Sequence, residues 1–295
     1  MGKATSPSWW TINRVASHSY RLDLWPVRSG DRRRICLLSD LHWDHAACRL
    51  DLLKELLEEA RELDSPVFLF GDTFDAMQGK WDPRASQDGL RPEHRGGDYL
   101  DLLVETAVEW FSPYRDVIAF ISPGNHEASI KKRHETDLTS RLVGGLRKVG
   151  ARTIQGSYWG FISVHIGTGK RTLGNRRVMH YTHGSGGGGE ITRGLIDHSR
   201  TRGMYLADVY ISGHIHRRNS EENILATLSS GGNVYYQQQL FLRSSCWKDE
   251  SQSEWHSGIM GRGPRPIGGW WLEIHVDKRG KGDNYQICKM VPIMN

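Results

Sequence analysis

The sequence predicts an α/β fold built on a parallel sheet, and three observations carry that prediction. Short, continuously apolar runs recur in the first half of the chain, at Ile35-Cys36-Leu37-Leu38, Val67-Phe68-Leu69-Phe70 and Val117-Ile118-Ala119-Phe120-Ile121. Each has the length and character of a strand buried on both faces. Amphipathic stretches separate them, and strand, helix, strand in succession implies parallel strands joined by a right-handed crossover. Finally, several apolar runs stop abruptly at carboxylate, amide or imidazole groups, and the carboxyl ends of strands are where open α/β sheets carry their sites.

Composition sets the outer bounds. A chain of 295 residues, 38% hydrophobic, can bury a substantial core as one large domain or two small ones, and 25% charged residues argue against global disorder. The formal net charge of +5 favours anionic partners, with phosphate or nucleic acid the natural candidate. Cys36, Cys48, Cys246 and Cys288 form no CxxC pair, so neither a zinc ribbon nor a disulfide framework is expected and a reduced, cytoplasmic setting fits best. No apolar run approaches the roughly 18 residues of a membrane span, and the N-terminus has no signal-peptide core. Met1-Gly2-Lys3-Ala4-Thr5-Ser6 formally fits a myristoylation pattern, but small residues after an initiator Met are common.

Taken in order, residues 1–17 read as a loose N-terminal arm, with Trp9 and Trp10 able to dock on the body. Tyr20, Leu22 and Leu24 alternate with polar neighbours, the pattern of a half-buried edge strand over 19–27. Arg32, Arg33 and Arg34 then form a charge cluster, a solvated patch in the bland reading and a phosphate-facing one in the functional reading. Residues 49–63 place Leu50, Leu53, Leu56, Leu57 and Leu63 at helical spacing. From 78 to 97 the chain turns polar, which predicts an inserted surface loop, either a substrate-facing flap or an inert excursion. Helical periodicity returns over 99–111 and again around Leu138, Leu142 and Leu146. Short strands are expected near 151–154, 158–166 and 177–182, a helix over 191–206, a strand over 208–212, and a closing antiparallel pair over 268–276 and 285–293. Residues 184–189 are nearly all glycine but lack the Lys-Ser/Thr of a P-loop. No internal repeat and no linker divides the chain.

Five segments concentrate the chemistry: Ser39-Asp40-Leu41-His42, Gly71-Asp72-Thr73-Phe74-Asp75, Gly124-Asn125-His126-Glu127, His183-Gly184 and Gly213-His214-Ile215-His216. Singly, each has an innocent reading as a turn residue, a helix cap or a satisfied histidine. Jointly, after five apolar strands, Asp40, His42, Asp72, Asn125, His183, His214 and His216 make a set of oxygen and nitrogen donors. One zinc ion takes three or four ligands, so seven donors suggest two divalent metal ions sharing a carboxylate. The spacing of Asp40 and His42, two apart, would turn both to one side of an extended segment. Donors without thiolate suit manganese first, with iron, zinc or magnesium as alternatives.

These five blocks resemble, in order over residues 35–217, the pattern of the calcineurin-like metallophosphoesterases: DxH, GDxxD, GNH(E/D), a His followed by Gly, and GHxH. The resemblance implies a β-sandwich of two mixed sheets flanked by helices, four layers αββα, as one domain over 18–295. It also implies a ligand set: Asp40, His42, Asp72 and His216 around the first metal, with Asp72 bridging to a second completed by Asn125, His183 and His214. By the same resemblance the reaction is phosphoester hydrolysis by a metal-activated hydroxide. His126 is then the group that protonates or stabilises the leaving oxygen, and Asp75 the acid that orients or charge-stabilises it. His180, three residues before His183, is the alternative ligand in the fourth block but is expected to pack beneath. His45 is expected at the surface.

Ser-Asp-Leu-His, Gly-Asp-Thr-Phe-Asp, Gly-Asn-His-Glu and Gly-His-Ile-His look more like the phosphodiesterase side of that superfamily, including Mre11/SbcD-type nucleases, than like its Ser/Thr protein phosphatases. A phosphodiesterase acting on DNA, RNA or nucleotides is therefore the leading expectation. A phosphomonoesterase is the runner-up, and a noncatalytic, metal-stabilised interaction module is the alternative of another class. The basic balance, Lys131-Lys132-Arg133, Arg217-Arg218 and the Trp- and Tyr-rich last third favour nucleic acid, although those aromatics serve equally well as sheet packing.

Overall fold

The computed structural model describes residues 8–27, 30–76, 89–167, 175–187, 189, 191–192, 194–249, 251, 263–279 and 282–292. Its strands, in chain order, are β1 (Trp10–Ala16), β2 (Ser19–Leu24), β3 (Arg32–Leu38), β4 (Val67–Phe70), β5 (Ile118–Ser122), β6 (Ile154–Gln155), β7 (Trp159–Ile166), β8 (Asn175–Thr182), β9 (Val209–Ser212), β10 (Asn219–Leu228), β11 (Val234–Arg243), β12 (Trp270–Arg279) and β13 (Gly282–Pro292). Five helices accompany them: α1 (Leu50–Glu62), α2 (Tyr99–Phe111), α3 (Asn125–His134), α4 (Leu138–Lys148) and α5 (Leu195–Met204).

Two mixed sheets result. One has the order β1-β2-β7-β8-β9-β11-β10, the other β13-β12-β3-β4-β5-β6. The continuous apolar runs explain the second sheet. Ile35 and Leu37 face the other sheet while Cys36 and Leu38 face helices, and Val67, Leu69, Phe68 and Phe70 divide in the same way. A strand with both faces covered needs no polar side, and β3, β4, β5 and β6 run parallel as the strand-helix-strand pattern predicts. Leu53, Leu56, Leu57 and Ala60 of α1 join α2 and α4 on the outer face of this sheet. On the larger sheet α5 lies over Phe241, with the His198 ring stacked 5.5 Å from it.

Three expectations change and a fourth is refined. The arm is not loose from 10 onward: β1 pairs antiparallel with β2, Trp9 and Trp10 are buried, and the Trp10 indole N–H donates to the Asp64 carbonyl at 2.9 Å. Only Trp10 and Ile12 of β1 face inward, too few for alternation to be read. The edge role expected of residues 19–27 therefore passes to β1, since β2 sits between β1 and β7. The polar stretch at 78–97 lies outside the described residues as far as 88. Beyond that most of it is exposed, as a surface loop should be, but it is anchored by Leu90, bridged to His45, and by His94, buried against Trp43 at 5.5 Å. Helix α3 was not expected, and it starts on Asn125, inside the third chemical block.

Candidate metal centre

The donor residues come from the ends of β3, β4, β5, β8 and β9, but not in the extended backbone that the Asp40–His42 spacing suggested. Among the described residues eight non-glycine residues have positive φ, and five of these are Asp40 (54°), His42 (45°), Asp72 (48°), His214 (70°) and His216 (56°). That region costs a non-glycine residue of order 1–3 kcal/mol and persists where surrounding structure holds it. Here the loops hold one another. Asp40 N–H donates to the Gly71 carbonyl at 3.0 Å, His42 N–H to the Asp72 carbonyl at 3.0 Å, and His214 N–H to the Asp40 carboxylate at 2.9 Å. Gly213 has to be glycine, because a Cβ there would lie 2.2 Å from Asp40 Oδ2.

All seven predicted donors meet. His42 Nε2 lies 3.1 Å from His216 Nε2, which is 3.3 Å from Asp40 Oδ1. On the other side Asn125 Oδ1 lies 3.0 Å from His183 Nε2 and 2.7 Å from His214 Nδ1, and His183 Nε2 is 3.1 Å from Asp72 Oδ2. Asp40, His42 and His216 form one candidate metal-holding group and Asp72, His183 and His214 a second; His42, Asp75 and His126 are gathered closely enough to form a third. His183 belongs to it, whereas His180 is buried in an aromatic stack 4.1 Å from Tyr205.

Three of the four candidate ligand histidines have the other ring nitrogen placed against a polar group. His183 Nδ1–H is 2.9 Å from the Phe70 carbonyl, His214 Nε2–H is 2.9 Å from the Gly186 carbonyl, and His42 Nδ1 is 2.8 Å from Asp75 Oδ1. Such partners fix the tautomer and ring orientation of a metal-binding histidine. Asp75 lies beside His126, as the sequence suggested, with a carboxylate oxygen within 4.8 Å of a His126 ring nitrogen, but it serves other groups as well. Its carboxylate serves His42 and the Lys248 ammonium, 3.3 Å away, and its backbone carbonyl meets His126 Nδ1. His126 lies apart from its neighbour Asn125, beside His42, with Nε2 3.6 Å from Asp72 Oδ2.

Three contributors escaped the sequence reading. The Asp44 carboxylate accepts the N–H groups of Asp75 (2.5 Å) and Ala76 (3.0 Å) and the Tyr99 hydroxyl (2.8 Å), fixing the turn after Asp72. The Glu127 carboxylate accepts N–H groups from Asp72, Phe74 and Gly124 at 3.1, 2.9 and 2.7 Å. Its place at the third helical position, in Gly-Asn-His-Glu, was the available signal. Lys248 had none, since nothing local marks a lysine that pairs across 173 positions.

The electrostatics suit cations. Burial alone would raise the Asp40 carboxyl, but the imidazoles of His183 and His216 pull it down to about 2. Asp72 is likewise held well below the ordinary carboxylate range by His183 and His126 against the effect of burial, and Asp75 by His42 and Lys248. Burial is opposed in the same way at His183, which Asp72 and Asp40 raise to about 10, while burial lowers His42 to about 4. Three buried, ionised acids facing imidazole nitrogens call for positive charge. Donor atoms about 2.1 Å from an ion stand roughly 3.0–3.4 Å from each other, and the spacings found on the two sides run from 2.7 to 3.3 Å. The residues fit a pair of divalent cations.

The family profile described as calcineurin-like phosphoesterase matches residues 33–218. A search of curated protein sequences finds no match. Among solved structures, a conserved uncharacterised protein from Streptococcus pneumoniae TIGR4, titled a predicted phosphoesterase, is 12% identical. The alignment covers 87% of this chain and 98% of that one, with a TM-score of 0.31, a likeness too slight to argue from.

Proposed function

Because the chain belongs to the calcineurin-like phosphoesterase family and is a metal-dependent phosphoester hydrolase, we propose that it cleaves phosphodiesters of the nucleotide or nucleic-acid kind. Asp40, His42, Asp72 and His216 would hold one divalent cation, and Asp72, Asn125, His183 and His214 the other. When bound, such a pair supplies a nucleophilic water at neutral pH and Lewis acidity toward the phosphoryl oxygens. Manganese is the first choice of metal and the compartment is the cytoplasm.

His126 carries the proton for the leaving oxygen. Its Nδ1–H is taken up by the Asp75 carbonyl, which leaves Nε2, 3.6 Å from Asp72 Oδ2, as the working atom. An alkoxide leaving group, as in nucleic acid or any alkyl phosphoester, needs that proton.

One observation carries the diester over the monoester. Among the described residues, two cationic side chains near the site are committed to acids of the chain itself, Lys248 to Asp75 at 3.3 Å and Arg243 to Asp197 at 3.3 Å. A diester brings one phosphoryl charge and a monoester up to two, so the diester asks less of the surroundings. Support for a long polymer is thinner than the sequence suggested. Arg34 is spent on Glu59 and Glu273, Lys131 on Asp137, and Arg218 rests on the ring of Trp270. Trp247, Trp270 and Trp271 are core residues.

The test sets a chromogenic phosphodiester, a chromogenic phosphomonoester and single-stranded DNA side by side with Mn2+-loaded protein. Diester turnover above monoester turnover is expected, and the reverse order would sink the proposal. A rate on DNA that falls steeply with salt identifies the polymer as substrate, because phosphate contacts release counterions. On DNA, whose leaving group is an alkoxide, His126→Ala should lower turnover by about 10²–10⁴-fold with cation content unchanged. Loss of cations in that variant would show that His126 is a ligand instead.

A further inference from the structure

We propose that Ser245 is a positioning residue for the first cation, holding its strained ligand His216; the inference rests on the metal reading above. Residues 244–249 lie outside the stretch matched by the family profile and run as a strap along one side of the site. Their backbone is pinned at intervals, Ser244 N–H to the Ser212 carbonyl at 2.9 Å, Ser245 N–H to Gly268 at 3.1 Å and Asp249 N–H to Ala47 at 2.9 Å. From that fixed line two donors reach ligand residues. Trp247 N–H donates to the Asp40 carbonyl at 3.0 Å, and the Ser245 hydroxyl donates to the His216 carbonyl at 3.1 Å.

Asp40 and His216 are both first-cation ligands, and both have positive φ. A residue in that region returns to a commoner backbone conformation unless its peptide groups are tied. The carbonyl of each is tied by the strap. The second cation's candidate ligands are not tied by Ser245: His183 N–H donates to Tyr158, Asn125 sits in the first turn of α3, and His214 N–H donates to the carboxylate of Asp40, a residue that meets the strap through Trp247. Ser245 is fully buried, so its hydroxyl has no role toward solvent. Without that hydroxyl the His216 carbonyl is left to turn, and Nε2 turns with it away from His42 and Asp40. The strap thereby makes one of the two cation sites depend on a segment far from the matched motifs.

The experiment is calorimetric titration of Mn2+ into the full metal-stripped chain, comparing wild type, Ser245→Ala and Ser245→Thr, with His216→Ala run to identify which binding step belongs to the first cation. For Ser245→Ala the first step should weaken about tenfold, the usual cost of losing a partner behind a ligand, while the second step keeps its affinity. Ser245→Thr, which keeps the hydroxyl, should recover most of the loss. Unchanged affinity at both steps overturns the proposal, and so does equal weakening of both, which marks a general loosening. A wild-type chain that binds fewer than two Mn2+ overturns the metal reading itself, whereas two normal steps that ignore Ser245 overturn this inference alone.

Discussion

His180 shows what a histidine near the site does when it is not a ligand. Its ring stacks on Tyr205, and neither ring nitrogen has a hydrogen-bond partner. Burial pushes its pKa down to about 4. In the unfolded chain the ring protonates near its ordinary value of about 6.5, so the unfolded state takes up the proton first. Stability from this group is fully present above about pH 6.5, falls as pH drops towards 4 and levels off below, a change of about 3 kcal/mol at most. His180→Phe should flatten that acid limb in urea unfolding and raise stability at pH 7 by about 1–2 kcal/mol, because no unsatisfied nitrogen stays buried. An unchanged limb would contradict the account. Gly213→Ala is a second residue-scale case. Its Cβ would strike the Asp40 carboxylate, so Mn2+ affinity should collapse and turnover fall by at least about a hundredfold while the far-ultraviolet circular dichroism stays native. At this scale the donor types were legible, because Asp, Asn and His directly after apolar runs are chemically loud. The left-handed turns that aim them were not, since nothing in the side chains of Asp40 or His216 announces the backbone. Ser245 and Lys248 stayed hidden because their partners are distant in sequence.

At the scale of elements, legibility followed the apolar pattern. Strands β3, β4 and β5 and helices α1 and α2 appear nearly where continuous or helical-period apolar residues put them. Helix α3 failed that rule because Ile130 is its only large aliphatic residue. It is stabilised instead by the Glu127 carboxylate closing its first turn on Gly124. Strand β1 failed because its inward pattern is carried by two residues alone. Trp10→Ala should therefore cost about 3–5 kcal/mol in denaturant unfolding, as for other buried large aromatics, and a loss under 1 kcal/mol would restore the idea of a loose arm. Helix α4 begins on Asp137, whose carboxylate accepts Ser140 N–H at 2.9 Å. Asp137→Ala should cost about 1 kcal/mol, and Asp137→Ser should recover most of it.

Across the whole molecule, two stacked sheets bring strand ends from residues 38 to 213 to one edge, and the charge collected there would couple folding to the binding of cations. Asp40, Asp72 and Asp75 are held ionised out of water, so filling the site relieves their repulsion. Mn2+ at a hundred times its dissociation constant should stabilise the chain by about 2.7 kcal/mol per site, and a chelator should reverse the shift in Tm. The most direct measurement is an anomalous-difference map from crystals of the Mn2+-loaded protein. The account predicts two peaks about 3.5–4 Å apart with Asp72 between them, one against Asp40, His42 and His216 and the other against Asn125, His183 and His214. A single peak, or peaks away from these side chains, would contradict it.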